Sequence, residues 1–327
     1  GFETPVPLKA VFVCVLAFAL VRGVFRYAEQ ACNHFIAFKL LALLRDRVFR
    51  AADSVCASVP AGACDLYILL PENPAYFWRE RTAPALRDIP GLTVKHNVYT
   101  VLHDSAQDGY VSRYLAQAEH SGARAVIAAC TPTAAERAQL AALAQRGLVI
   151  LLSEDADVPN AFYVGSDARQ DGAEIGRRFA QDGGAGLPVI LTAPDNKNCT
   201  AREQGFLAAA GEAAAGAVTL PLPLYGKLFP AKTAALLSTL PSAPRYRIYS
   251  AAGMLDEVCL AAKKARIFER CVFYGHDARR PQQERVRAVM AQAVERQSAI
   301  AVGLAREYLL TGLYPTQKRT FIPSTLI

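Results

Sequence analysis

From Asp65 onward, short apolar runs alternate with stretches of helical periodicity. The runs are 65–70 (DLYILL), 92–99, 124–130, 148–152, 161–164, 187–192, 217–222, 246–251 and 271–275 (CVFYG). Between them, 75–88, 106–120, 133–146, 168–181, 201–214, 230–239, 254–265 and 280–309 combine helical spacing with good helix formers. Short strands alternating with such helices predict βαβ units and a mostly parallel sheet. Right-handed crossovers then set helices on both faces, and ligands bind beyond the carboxyl ends of the strands. The expected fold class is α/β.

The first fifty residues follow a different pattern. Residues 10–21 (AVFVCVLAFALV) form an uninterrupted apolar run. A helix of that length covers ~18 Å, short of the ~30 Å hydrocarbon core, so Lys9 and Arg22 would have to snorkel for it to span. Residues 22–50 read as one basic amphipathic helix, with Phe35, Phe38, Leu41, Leu44 and Val48 at three- and four-residue spacing. We therefore expect an N-terminal hydrophobic and amphipathic helical segment over 1–53, with membrane contact through 8–50.

Charge sharpens that division. The 327 residues carry a formal +7. Residues 1–52 hold seven Lys/Arg and three Asp/Glu, or +4, which leaves +3 for the rest. The basic total is thus no argument for a nucleic-acid surface on the main body. At 52% hydrophobic and 20% charged the composition is globular, not disordered. The eight cysteines lack C-x-x-C or zinc-ligand spacing, so we expect scattered reduced thiols and no metal site. No P-loop, nucleophile elbow or G-x-G-x-x-G follows the first strand, and the five histidines have no triad spacing. Neither an enzyme nor a cofactor is expected.

The candidate chemistry lies at strand ends. Asn73 precedes three aromatics, Tyr76, Phe77 and Trp78, which suit stacking on a sugar face or equally the packing of a helix face. Val164-Gly165-Ser166-Asp167 leads into a helix, with Asp167 a plausible cap. Arg202 stands early in another helix, where its fork of donors suits ligand hydroxyls or a surface salt bridge. Asp277, directly after the strand ending at Gly275-His276, is a carboxylate able to accept two hydroxyl hydrogens.

These loops, in this order, resemble the effector-binding core of LacI/GalR-type regulators and type 1 periplasmic sugar-binding proteins, over about 65–327. The pieces that carry the resemblance are Asn73-Pro74 with its aromatics, Val164 to Asp167 with Gly172, Arg202-x-x-Gly205-Phe206, Gly275-His276-Asp277, Gln292 and the ending 321–327 (FIPSTLI). The resemblance implies two Rossmann-like lobes with parallel sheets, joined by three crossover segments near 163–167, 276–292 and 315–322. Lobe 1 would be 64–165 completed by 292–315, and lobe 2 would be 166–291 completed by 316–327. It further implies that Asn73, Tyr76, Phe77 and Trp78 line the cleft from the first lobe, Arg202 and Asp277 reach in from the second, and Gln292 sits at the hinge. Ser153-Glu154 stands where the family often has an Asp, which makes Glu154 a candidate. Ser250-Ala-Ala-Gly-Met replaces a frequent Asn-Asp pair, and Ser298 a frequent Gly, so a non-sugar ligand stays open. Residues 8–50 separately resemble a fragment of an ABC exporter transmembrane domain, on Arg22, Arg26-Tyr27-Ala28-Glu29, His34 and Leu40 through Arg50.

The expected function is non-enzymatic binding of a small molecule, a sugar by resemblance, through closure of two lobes. A sugar-responsive regulator core and a solute-binding protein both fit. No DNA-binding helix-turn-helix is readable in 1–60. A homodimer is implied by the regulator resemblance alone. Cysteine content and the lack of a clean export signal favour a cytoplasmic or membrane-associated setting over a periplasmic one. The alternatives are an ABC transporter membrane component or fragment, and a fusion product with a non-functional cleft.

Overall fold

In the computed structural model, the described residues are 18, 20–22, 26, 64–72, 76–86, 89–99, 111–222, 229–279 and 285–327. The chain divides into two units, Gly1–Val59 and Pro60–Ile327. In the first, residues 18, 20–22 and 26 are helical, with Phe18, Leu20 and Val21 exposed. Among the described residues no helix is long and apolar enough to cross a membrane. The expected span and amphipathic helix otherwise lie outside the described residues, as does any membrane contact through 8–50.

The second unit holds two six-stranded sheets. The first runs in the order β11-β5-β4-β3-β1-β2, from β1 (Leu66–Pro71), β2 (Val94–Tyr99), β3 (Ala125–Ala128), β4 (Leu148–Leu152), β5 (Phe162–Gly165) and β11 (Arg319–Phe321). All its pairs are parallel. The second runs β12-β10-β9-β8-β6-β7, from β6 (Leu187–Thr192), β7 (Val218–Pro221), β8 (Tyr246–Ser250), β9 (Cys271–His276), β10 (Val286–Ala291) and β12 (Thr325–Leu326). Only the β10–β12 pair is antiparallel. This is the expected α/β fold of two Rossmann-like lobes.

The apolar runs form these strands because both faces of the sheet are covered. In the first lobe Leu66, Ile68 and Leu70 face a core with Phe77, Trp78, Ala301 and Ala305. Tyr67 and Leu69, on the opposite face, pack with Leu115, Leu140 and Val126. Helix starts are marked as local chemistry requires. Thr133 and Glu136 form a capping box, and the other oxygen of the buried Glu136 carboxylate accepts the backbone N–H of Val111 and of Ser112. Asp167 caps the Ala168–Asp182 helix through the Gln170 N–H.

Two glycines set the closest helix crossing. A Cβ on Gly172 would lie 2.0 Å from the Arg202 carbonyl oxygen, and one on Gly205 would lie 2.0 Å from that of Arg169. The helices Ala168–Asp182 and Lys197–Ala210 therefore meet backbone to backbone.

Three segments join the lobes: 166–167 after β5, 292–293 after β10, and 322–324 between β11 and β12. Two details differ from the sequence reading. The periodic stretch 280–309 holds strand β10 before its helix, Val294–Thr311. The third crossing also falls later than 315–322, because β11 pairs with β5 and keeps Arg319–Phe321 in the first sheet.

Candidate ligand-binding cleft

In both sheets the strand order reverses beside the first strand of the lobe, between β1 and β3 and between β6 and β8. Parallel sheets of this order gather polar groups beyond their carboxyl ends. Those ends meet between the two lobes.

The second-lobe side is built on Asp277, one residue past β9. Its backbone is left-handed, at φ 44°. Gln292, just past β10, donates its backbone N–H to Oδ1 of Asp277 at 3.0 Å and its side-chain amide to Oδ2 at 2.6 Å. The Gln292 carbonyl oxygen Oε1 in turn accepts the Ser166 hydroxyl at 3.3 Å and the Gln297 amide at 3.4 Å. Gln297 Oε1 accepts the Ser153 hydroxyl at 2.5 Å. Ser153 also has left-handed backbone, at φ 59°, and its carbonyl accepts the Asn198 amide at 2.6 Å. One chain of buried hydrogen bonds thus runs from β9 through two hinge segments to the end of β4, and back to the second lobe.

Asn198 closes that chain because it sits in the first turn of the Lys197–Ala210 helix, which Asn196 caps through the Cys199 N–H. Its Oδ1 accepts the Asp155 N–H at 3.1 Å, so one amide pairs with first-lobe backbone on both edges. Asn196 reaches across as well, donating to Thr131 Oγ1 at 2.9 Å and Glu154 Oε2 at 2.7 Å. Lys197 pairs with Asp155 and Asp157 at 3.1 and 2.6 Å. A further bond between the lobes joins Arg279 to Glu80 at 2.9 Å.

Arg202 is 4% exposed. One Nη donates to the Ala251 carbonyl at 3.1 Å, and its Nε has no partner among the described residues. Two buried carboxyls lie in its field. Burial pushes Asp277 above its ordinary value, against the pull of Arg202 and the two Gln292 bonds. Asp171 is raised by the same burial, opposed by Arg202 and by hydroxyls including that of Ser324, which donates to it at 2.9 Å. Burial, with the charge of Arg202, holds His276 well below the usual imidazole range, so it is neutral.

Four of the eight expected site residues, Glu154, Arg202, Asp277 and Gln292, therefore lie in this polar interface. Phe77 and Trp78 do not. They are 4% and 2% exposed, edge to face at 4.6 Å, inside the first-lobe apolar core. The reason is that the Tyr76–Thr82 helix turns these rings inward and leaves Arg79 and Glu80 exposed. Asn73 and the Tyr76 side chain lie outside the described residues. The sequence reading missed Asn198 and Gln297. The available signal was a pair of short amides at a helix start directly after a strand. Among the described residues no group of His, Cys, Asp and Glu could hold a metal ion, and the five described cysteines are buried and unpaired.

No family model matches the chain. Among solved structures it is similar to GanP, a glucose-galactose binding protein of Geobacillus stearothermophilus, at 18% identity and a TM-score of 0.63 over 80% of this chain and 96% of that one. An ABC transporter periplasmic solute binding protein of Actinobacillus succinogenes with bound D-allose matches at 15% identity and a TM-score of 0.63, over 80% and 96%. A carbohydrate transporter solute binding protein of Agrobacterium radiobacter, in complex with D-arabinose, matches at 15% and 0.63, over 80% and 93%. The fold is therefore that of the type 1 periplasmic sugar-binding proteins. Separately, 49 residues are 48% identical to a probable ABC transporter ATP-binding/permease protein of Haemophilus influenzae. They make up 15% of this chain and span only 9% of that relative.

Proposed function

We propose that the chain binds a small hydroxylated molecule, a sugar, between its two lobes, without turnover, and that lobe closure is the binding event. The observation that carries this reading is the convergence of Glu154, Arg202, Asp277 and Gln292 from both lobes and the hinge, on a fold shared with sugar-binding proteins. Arg202 contributes donors fixed by burial, and Asp277 and Glu154 contribute acceptors. That is the complementary set a polyhydroxylated ring requires. Asn73 and Tyr76 complete the proposed set from the loop after β1. Phe77 and Trp78 act on it from behind, as core rings that hold that loop.

The hinge segments supply the motion. Contacts with both lobes are available only in the closed form, so a ligand making them shifts the balance toward closure. The solved neighbours that share the two-lobed fold and are titled transporter solute binding proteins favour a transport setting for this cleft over a regulator core.

The test is a thermal shift of the full chain against a panel of pentoses, hexoses, nucleosides and purines. A ligand at a hundredfold its dissociation constant stabilises by about 2.7 kcal/mol. A shift with one sugar class, lost in Asp277→Ala, is the expected result. A cooperative melt that no compound moves would leave the lobes without a ligand and overturn the reading.

A further inference from the structure

A cluster of arginines lies at the opposite end of the second lobe's sheet from the cleft. There a cavity of about 650 Å³ opens at the amino ends of β6, β8, β9 and β10. Five or six residues of strand, at ~3.3 Å each, separate it from the carboxyl ends. Six arginines line it: Arg178, Arg245, Arg247, Arg270, Arg285 and Arg287.

Among the described residues, two of the six have a carboxylate partner in the cavity wall. Arg178 pairs with Asp182 at 3.0 Å and Arg285 with Glu269 at 2.5 Å. Arg270 donates only to the Ala243 carbonyl, at 3.0 Å. The guanidinium groups of Arg245 and Arg287 have no partner among the described residues, and both residues are exposed. Arg247 is 5% exposed. It is fixed over the Phe179 ring, 3.6 Å from the centroid, and bonded to the Phe179 carbonyl, yet its Nε has no hydrogen-bond partner among the described residues. Holding a cation that far from water with a donor unused is costly unless an anion shares the site. Four like charges converging on one concavity without counter-ions also repel one another.

We propose that this cavity is a second binding site, for a small polyanion bearing two or more phosphoryl groups. Arginine forks match phosphoryl oxygens two at a time, and four uncompensated guanidiniums match the charge of a di- or triphosphate. Gly183 and Gly184, both at positive φ, form part of the wall, where a Cβ would meet nothing within 4 Å. The site is independent of the cleft and of any sugar bound there.

The experiment is isothermal titration of the full chain with inorganic pyrophosphate in magnesium-free buffer. Saturable binding of one equivalent is expected. It should weaken at least tenfold in Arg245→Gln/Arg287→Gln, and stay unchanged in Arg113→Gln/Arg146→Gln, which removes the same charge from exposed first-lobe positions. Should the first double variant fail to fold, Arg270→Gln alone gives the same reading. Absence of saturable binding, equal loss in both double variants, or full retention in the cavity variants would each overturn the proposal.

Discussion

Gln292 meets Asp277 through both its backbone N–H and its side-chain amide, one to each carboxylate oxygen. The two residues end neighbouring strands, and Gln292 is also where the chain leaves the second lobe. The carboxylate is therefore held by the hinge itself. Replacing Gln292 with Ala deletes the side-chain bond to Asp277 and leaves the Gln297 amide without its acceptor, in a buried site. Such losses cost ~1–3 kcal/mol. We expect a lower urea midpoint with an unchanged slope, measured by circular dichroism, and weaker sugar binding. A midpoint equal to that of the parent would show that the bridge contributes nothing.

The glycine pair makes a second, sharper prediction. Gly205→Ala drives a Cβ into the Arg169 carbonyl. Backbone cannot yield as a side-chain tip can, so the two helices must separate. Overpacking of this kind costs ~1–3 kcal/mol. Arg202, one turn earlier on the same helix, should shift with it. Ala substitution at Gly303, an exposed position inside the Val294–Thr311 helix where an added Cβ meets nothing within 4 Å, is the matched control and should raise the melt slightly, by the ~0.5–1 kcal/mol that Gly→Ala is worth in a helix interior.

Trp78 should behave as a core residue. Truncation to Ala opens a cavity beside Phe77 and costs ~3–5 kcal/mol, where Trp78→Phe costs markedly less. Chemical denaturation of the two variants measures this directly. Full stability in Trp78→Ala would place the ring at a surface instead.

This ring also shows where sequence reasoning stops. An aromatic after a strand end serves a ligand or a core equally well, and only the direction of the Tyr76–Thr82 helix decides between them. The strands β1, β3, β4 and β9 were legible because both their faces are buried, which makes them unbroken apolar runs. Strand β10 was not. VRAVMA mixes helix formers with β-branched residues and sits directly before a true helix, so the two merged into one periodic stretch. Strands β11 and β12, of three and two residues, are too short to show a period. Asp277 could be read because it follows a legible strand; Gln292 could be reached only through the family resemblance, since the strand before it was hidden in a helical stretch. Asn198 carried only a weak signal, a short amide at a helix start; its role rests on bonds to Ser153 and Asp155, more than forty residues away in sequence. The glycines at 172 and 205 were visible, yet their reason, a helix crossing, is a tertiary fact.

The bonds between the lobes predict how the free protein behaves. Asn196 and Asn198 tie the Lys197–Ala210 helix to Thr131, Ser153, Glu154 and Asp155. Asn196→Ala/Asn198→Ala removes these ties and leaves the Lys197 pairs with Asp155 and Asp157 and the half-exposed Arg279–Glu80 pair, ion pairs worth only ~0–1 kcal/mol each. The expected outcome is a larger radius of gyration by small-angle scattering without sugar. An unchanged profile would mean that the hinge, not these amides, sets the lobe angle.

His276 gives the pH dependence. Its ring is fully buried at the end of β9, its Nε2 lies 3.0 Å from the Tyr249 hydroxyl, and its Nδ1 has no partner among the described residues. Burial and the charge of Arg202 hold it well below its ordinary 6.5. Below that value the unfolded chain takes up a proton that the folded chain refuses. Stability from this group is therefore complete above 6.5, and falls as pH drops toward the folded value. Urea midpoints taken from about pH 7.5 to about pH 5 should decline more steeply in the parent than in His276→Gln, where this proton uptake is absent. Cys130 and Cys199, buried thiols pushed up by burial, stay protonated throughout and add no slope. Parallel declines in the two proteins would show that the histidine is protonated in the fold, and that its burial is relieved by a partner other than Tyr249.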